Sequence, residues 1–360
     1  MFSNRELGGR VVVGALTVVV TCAVLAGAAR AATVRRVPWR YATIQQAIDA
    51  ANPGDEISVA PGRYCGAVID RPVTLDGHAQ ATIVGCPTGP ELFGGLRVGF
   101  VLPGVAGDNP ASGTRIQGFH FDGRGVTADD LDALAFGVFA RFADDVQITG
   151  NRFFGTVQAI TNTAGDRWVI AHNDIHGLTL FDCTAGRCAG GDGIIIQAAS
   201  GDVAAPGGAG DAANRPEGNV VFANDIDGTI PDGFDAFSMV GIFVFAADGT
   251  IVRENRITIP DNPSSQAGGE GVLVSNTCCG DPNAVVVPGS RDTVVLFNEG
   301  RASEFVVVVE GTGGENTKGL VLFGNRGVQL VEGNLVADAG KPHRHRHAQR
   351  LAPLRRVHLL

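Results

Sequence analysis

The 360-residue chain is poor in lysine, tryptophan, tyrosine and methionine, with two of each. Two lysines leave little room for Schiff-base or other lysine-based chemistry. So few Trp and Tyr handicap any surface that would stack sugars through rings with a polar edge. No Cys-x-x-Cys occurs, which disfavours zinc and dithiol redox chemistry. Beyond the first 31 residues there is no apolar run near 20 residues, so no further helical membrane span is expected. Basic charge is also short where it would matter. Setting aside residues 1–31 and the tail from 341, 19 basic and 36 acidic residues remain, a net of −17. Such a body argues against nucleic acid, and against polyanions unless a cation or local Arg compensates.

What is abundant is glycine, 51 residues, together with 44% hydrophobic residues. That pairing suits many tight turns around a continuous core. Residues 146–153 read Val-Gln-Ile-Thr-Gly-Asn-Arg-Phe, and the pattern returns at 168–175, 219–226, 250–257, 293–299 and 320–326. An aliphatic residue stands three before each Asn, usually another apolar one five before, and often one two after. The Asn positions are 151, 173, 224, 255, 298 and 325, and the smallest gap is 22. Period-two alternation means strand, and a repeat of this length means one coil stacked on its copies. Asn tolerates the left-handed backbone region, so it is expected at the turn itself. Stacked coils would align these amides in an internal ladder starting at Asn151, because Phe119 holds the equivalent place one coil earlier.

After most Asn turns a second strand opens on Gly: 137–141, 192–197, 241–246 and 270–275. With these segments the chain resembles the right-handed parallel β-helix, or pectin-lyase-like, superfamily, over roughly residues 40–336. The expected fold is all-β, a single-domain right-handed parallel β-helix solenoid with an N-terminal capping helix. The helix is expected at 43–51, capped by Thr43 and stopped by Asn52-Pro53-Gly54-Asp55. In the superfamily such a helix plugs the open end of the cylinder, and the first strand is expected at 56–60. The superfamily hosts lyases, hydrolases, esterases, epimerases and non-enzymatic surface proteins. The Asn-Thr-Asp and Gly-His-Gly motifs of polygalacturonases and the Asp-Pro-His-Asp motif of mannuronan epimerases are absent.

Residues 1–31 read as a signal peptide: Arg5 and Arg10, an apolar run, then Ala29-Arg30-Ala31. A retained membrane anchor is the alternative. Residues 32–340 form the β-helix domain, and 341–360 a basic His- and Arg-rich tail expected to be disordered. The destination is secreted, periplasmic or cell-surface. Six cysteines remain after the leader, an even number that suits disulfides in an exported chain. Cys65 and Cys86, 21 apart, could bridge adjacent coils; Cys183 and Cys188 could close a loop; Cys278 and Cys279 are adjacent.

Insertions at 176–191, 198–218, 228–239, 260–269 and 276–291 flank the Gly-led strands. On a solenoid such insertions gather on one face, often the binding face. They are expected to wall a groove over the Gly-led sheet, where superfamily members commonly bind sugar chains. Catalytic candidates are Asp182, Asp192, Asp232, Asp235, Glu270 and Arg187. Substrate-binding candidates are Arg141, Gln197, Phe243, Phe245 and Arg291. Paired carboxylates serve glycoside hydrolysis; an oxygen cluster would hold Ca²⁺ and Arg would then act in β-elimination. No cofactor is evident, and Ca²⁺ is the ion those oxygens would take. The expected partner is a polysaccharide or cell-envelope glycan, with no nucleic acid and no membrane beyond the N-terminal segment. If Ile194 and Ile196 face inward, then Ile195, Gln197, Phe139, Arg141, Phe243, Phe245, Leu273 and Ser275 face out. So apolar an exterior is packed under the loops, used for binding, or buried in a homo-oligomer. The competing function is a non-catalytic surface, adhesion or structural repeat protein.

Overall fold

In the computed structural model, the described residues are 32–92, 95–124, 132–179, 191–199, 214–229, 239–260, 269–275, 289–302, 304–309 and 317–325. The expected leader and tail, and the cysteines at 183, 188, 278 and 279, lie outside them. The described strands fall in a 16-stranded and a 9-stranded sheet. Apart from the pairing of Glu91–Leu92 with Leu96–Leu102, all named strand pairs are parallel. The chain is a parallel β-helix.

Among the described residues from 147 onward, the repeating coil has three strands. A leading strand comes before the Asn (Gln147–Thr149, Val169–Ala171, Val220–Phe222, Ile251–Arg253, Val294–Leu296, Val321–Phe323), and a trailing strand follows it (Arg152–Phe154, Asp174–Leu178, Asp225–Gly228, Arg256–Thr258, Glu299–Arg301). Both belong to the larger sheet. The third strand builds the second sheet: Leu96–Leu102, Leu134–Arg141, Gln158–Thr163, Asp192–Gln197, Val240–Phe245, Glu270–Ser275 and Glu304–Val309.

The periodicity of the sequence follows from how the corner is made. Val146, Ile148, Asn151 and Phe153 are buried, while Gln147, Thr149, Arg152 and Phe154 keep exposure. The extra residue at the corner is Gly150, with φ 64°. The left-handed residue is therefore the one before the Asn, not the Asn itself as expected. Its counterparts are His172, Ala223, Glu254, Phe297 and Gly324, with φ from 51° to 68°. The Asn turns inward and forms the ladder. Asn173 Nδ2 donates to Asn224 Oδ1 at 3.0 Å, Asn224 to Asn255 at 2.9 Å, and Asn255 to Asn298 at 2.9 Å. Each Oδ1 also accepts the backbone N–H of the preceding Asn, as in Asn224 N to Asn255 Oδ1 at 3.0 Å. The ladder does begin at Asn151, whose Oδ1 takes the N–H of Phe119 at 3.0 Å. Phe119 itself is buried in an edge-to-face aromatic group with Phe100. Buried amides are tolerable only because every member is hydrogen-bonded.

The Gly at the start of the second-sheet strands answers a steric need. A Cβ on Gly193 would lie 2.5 Å from the Gly241 carbonyl oxygen, and one on Gly241 would lie 2.4 Å from Ile257 Cγ2. Side-chain-free positions let this sheet close down on the trailing strands.

At the N-terminal end, the helix Ile44–Asp49 is capped by Thr43, whose Oγ1 accepts the Gln46 N–H at 3.1 Å. It stops two residues sooner than its apolar spacing implied. Ile44, Ala47 and Ile48 join the core beside Val37, Ile57 and Val59. An earlier strand than expected, Val34–Val37, pairs with Glu56–Val59. It is clasped by Asp55, which accepts from the N–H groups of Thr33 and Asn52 at 2.9 Å each and from Arg35 at 2.7 Å. Burial alone would raise this carboxyl, but these donors hold it down to about 2. Cys65 and Cys86 are disulfide-bonded, with Cα atoms 5.5 Å apart. By loop length, such a link contributes about 3 kcal/mol. Among the described residues no helix is long and apolar enough to cross a membrane.

Candidate functional site

The outward residues of the second sheet form columns across its strands. One reads Val98, Phe136, Gln158, Asp192, Val240, Glu270. The next reads Val101, Phe139, Thr161, Ile195, Phe243, Leu273, and a third Arg141, Thr163, Gln197, Phe245, Ser275. The alternation read from Ile194 and Ile196 thus places the second and third columns correctly. The two isoleucines join the main core, while Phe139 and the pair Phe243 and Phe245 belong to separate outer clusters.

The centre of this face is polar. Gln158 Nε2 donates to Asp192 Oδ2 at 3.4 Å, while its Oε1 accepts the Thr161 hydroxyl at 3.0 Å. Gln197 Nε2 donates to Thr163 Oγ1 at 3.0 Å. Apolar clusters flank this island: Leu96, Val98, Phe136 and Phe139 on one side, Ala198, Phe245 and Ala246 on the other. Burial pushes the Asp192 carboxyl up to about 7, against the opposing pull of the Gln158 amide. It is the kind of group that carries a proton at neutral pH and can still give it up.

Glu270 stands two rungs from Asp192 in the same column, separated by Val240. At ordinary strand spacing that is about 9–10 Å, close to the upper limit of the carboxyl separation of inverting glycoside hydrolases. Arg141 faces outward in the third column, its guanidinium 5.8 Å from the Phe142 ring centre. Arg291 is not brought to this face. It bridges to Asp248 and Lys318 ahead of the leading strands, and its N–H donates to Asp248 at 3.0 Å. Asp182, Asp232, Asp235 and Arg187 lie outside the described residues. Among the described residues no three His, Cys, Asp or Glu side chains are grouped as a metal site would need.

The strand Gln158–Thr163 supplies three members of the island that motif reading missed. Ala159 takes the place of the leading Gly, so the strand lacks that mark. Its signal is spacing: Ala159 lies 22 residues after Gly137, one minimal coil. The described surface also has a depression of about 430 Å³ lined by Arg256, Thr258, Glu299, Gly300 and Arg301. It lies on the trailing strands and holds none of the candidate residues.

No protein-family model and no curated protein matches the chain. Solved structures do. The surface adhesin PfbA of Streptococcus pneumoniae aligns with 13% identity over 80% of this chain and 76% of its own, with a TM-score of 0.52. An alginate lyase from Paenibacillus sp. str. FPU-7 aligns at 15% over 77% and 96%, TM-score 0.39. The polygalacturonase of Erwinia carotovora ssp. carotovora aligns at 13% over 83% and 96%, TM-score 0.35. The fold is a right-handed parallel β-helix, as in PfbA.

Proposed function

We propose that the protein is exported and binds a glycan along the outer face of the second sheet, where Asp192 and Glu270 cleave a glycosidic bond. The observation that carries this is Asp192: a carboxyl lifted to about 7 on an outward strand position and held by Gln158. In this reading protonated Asp192 donates to the leaving oxygen, and Glu270 activates water two rungs away. Gln158, Gln197 and Arg141, each half-buried, supply hydrogen bonds to hydroxyl groups, and Phe243 gives apolar contact. Export rests on the first 31 residues and agrees with the Cys65–Cys86 bond. A role in surface binding without cleavage is the second reading. Its support is the outer apolar pair Phe243 and Phe245, whose rings lie 5.8 Å apart beside the polar island.

Incubating the purified protein with a glycan panel separates these. Product formation that Asp192→Asn and Glu270→Gln each lower roughly 100-fold or more supports hydrolysis. Retention without product leaves binding alone. Neither retention nor product on any glycan rejects both, and a stable oligomer by light scattering would then assign the apolar face to self-association.

A further inference from the structure

The first coil carries a second constellation, on the larger sheet and on strands remote from Asp192. Ser58, in the strand Glu56–Val59, is paired in register with Asp76 in Thr74–Val84. Between Asp76 and Ala81 the second strand slips out of register with Arg115–Asp122, and His78 and Ala79 both adopt left-handed backbone, φ 50° and 55°. For residues with a Cβ that conformation costs about 1–2 kcal/mol each. The bulge brings the His78 ring to the Ser58 hydroxyl. His78 Nε2 lies 2.8 Å from Ser58 Oγ, and Nδ1 lies 3.4 Å from Asp76 Oδ1.

Asp76 is itself held on both oxygens. Oδ1 accepts the His78 backbone N–H at 2.7 Å and Oδ2 accepts from Gln117 Nε2 at 2.9 Å. Gly118 keeps the turn in place: a Cβ there would come within 3.0 Å of Ala79 N and 3.3 Å of Asp76 Oδ1. The His78 side chain is 49% exposed, so the group is open to substrate. Asp76 Oδ1 is the acceptor beside Nδ1, and in the tautomer protonated at Nδ1 the Nε2 atom accepts from Ser58. Nucleophile, base and orienting carboxylate at these separations are the parts of covalent acyl transfer.

We propose that Ser58, His78 and Asp76 form a hydrolytic triad that cleaves short acyl esters presented to the outer face of the first coil. Ser58 Oγ bonds to the acyl carbon while its proton passes to His78 Nε2. The C–O bond to the alcohol then breaks, and His78 returns the proton to the departing oxygen. Water, deprotonated by His78, attacks the acyl-serine and releases the acid, restoring Ser58. Asp76 positions the ring and takes no proton. Short acyl groups are the class that fits, because the triad sits on a strand face.

The test is labelling of the full chain with a fluorophosphonate, followed by peptide mapping, together with hydrolysis of 4-nitrophenyl acetate. The expected result is one adduct on Ser58, and hydrolysis lowered roughly 100-fold or more in Ser58→Ala and in His78→Ala. Added imidazole should restore part of the His78→Ala activity, and Asp76→Asn should lower kcat with KM little changed. Each variant is checked for native circular dichroism; Ser58→Ala removes one outward hydroxyl and leaves the strand pairing intact. Absence of both adduct and hydrolysis in the wild-type protein overturns the proposal. So does hydrolysis that survives Ser58→Ala, or an adduct on another residue.

Discussion

The leading corner of the coil and the flanks of the second sheet obey different rules of length. In seven coils the two left-handed residues that bracket the leading strand are five apart each time: 113 and 118, 145 and 150, 167 and 172, 218 and 223, 249 and 254, 292 and 297, 319 and 324. On the other side, five residues separate the strand Gln158–Thr163 from Val169–Ala171, but 22 separate Asp192–Gln197 from Val220–Phe222. The fixed corner has no slack because its Asn must meet the Asn above and below. One added residue would move every inward side chain to the outer face. The second sheet is joined through segments of unequal length, and side-chain identity varies there too. The corner is fixed in length, whereas the flanks of the second sheet accommodate insertion.

Four substitutions would break or sharpen that contrast. The largest effect is expected for Asn224→Leu. It removes the donor to Ile170 O, Phe222 O and Asn255, and the acceptor for Asn173. With about 1–3 kcal/mol for each buried group left unpaired, a loss on the order of 4 kcal/mol should appear in the denaturant midpoint. A loss below about 1 kcal/mol would show that the ladder only follows the fold.

Asp192→Asn should have the opposite sign. The folded carboxyl sits near 7, above the unfolded value near 3.9, so the folded state binds the proton more tightly. Its ionisation therefore weakens the fold progressively from about pH 4 to 7, and fully above that. The variant should be more stable than wild type at pH 8, by something on the order of 3 kcal/mol. The two should converge near pH 4 in thermal unfolding, and equal stability at both pH values would remove Asp192 from the buried set. Such a gain is what a residue kept for function rather than for stability would give.

The smallest effect is at the corner again. Ala223 holds φ 53° without being glycine. Ala223→Gly relieves that strain and should raise stability by up to about 1 kcal/mol, whereas Gly150→Ala, at φ 64°, should lower it by a similar amount. Matching signs in the two variants would mean that the corner is not set by backbone strain.

The coil was legible from residues such as Val146, Ile148, Asn151 and Phe153, because their burial is enforced by local alternation repeated on every turn. The same alternation placed Phe139, Ile195, Gln197 and Phe243 on the outer face, and the 21-residue spacing singled out Cys65 and Cys86. The strand Gln158–Thr163 escaped because Ala159 replaces its glycine. The wrong residue was assigned to the left-handed corner because Asn favours that region in general, whereas here its side chain is needed inside. Arg291 looked like a wall of the site because nearness in sequence to a second-sheet strand says little about which coil edge it reaches.

By itself, then, the sequence determined the strand period, the amide ladder and the inward and outward sets, all of them consequences of contacts that recur from coil to coil. Only the tertiary structure decided which side chains meet across coils of unequal length. Gln158 reaches Asp192 over 34 residues, and Ser58 meets His78 through a bulge that breaks the register. Such meetings depend on the register between strands and on local departures from it, and a repeating pattern of apolar residues fixes only the average of both.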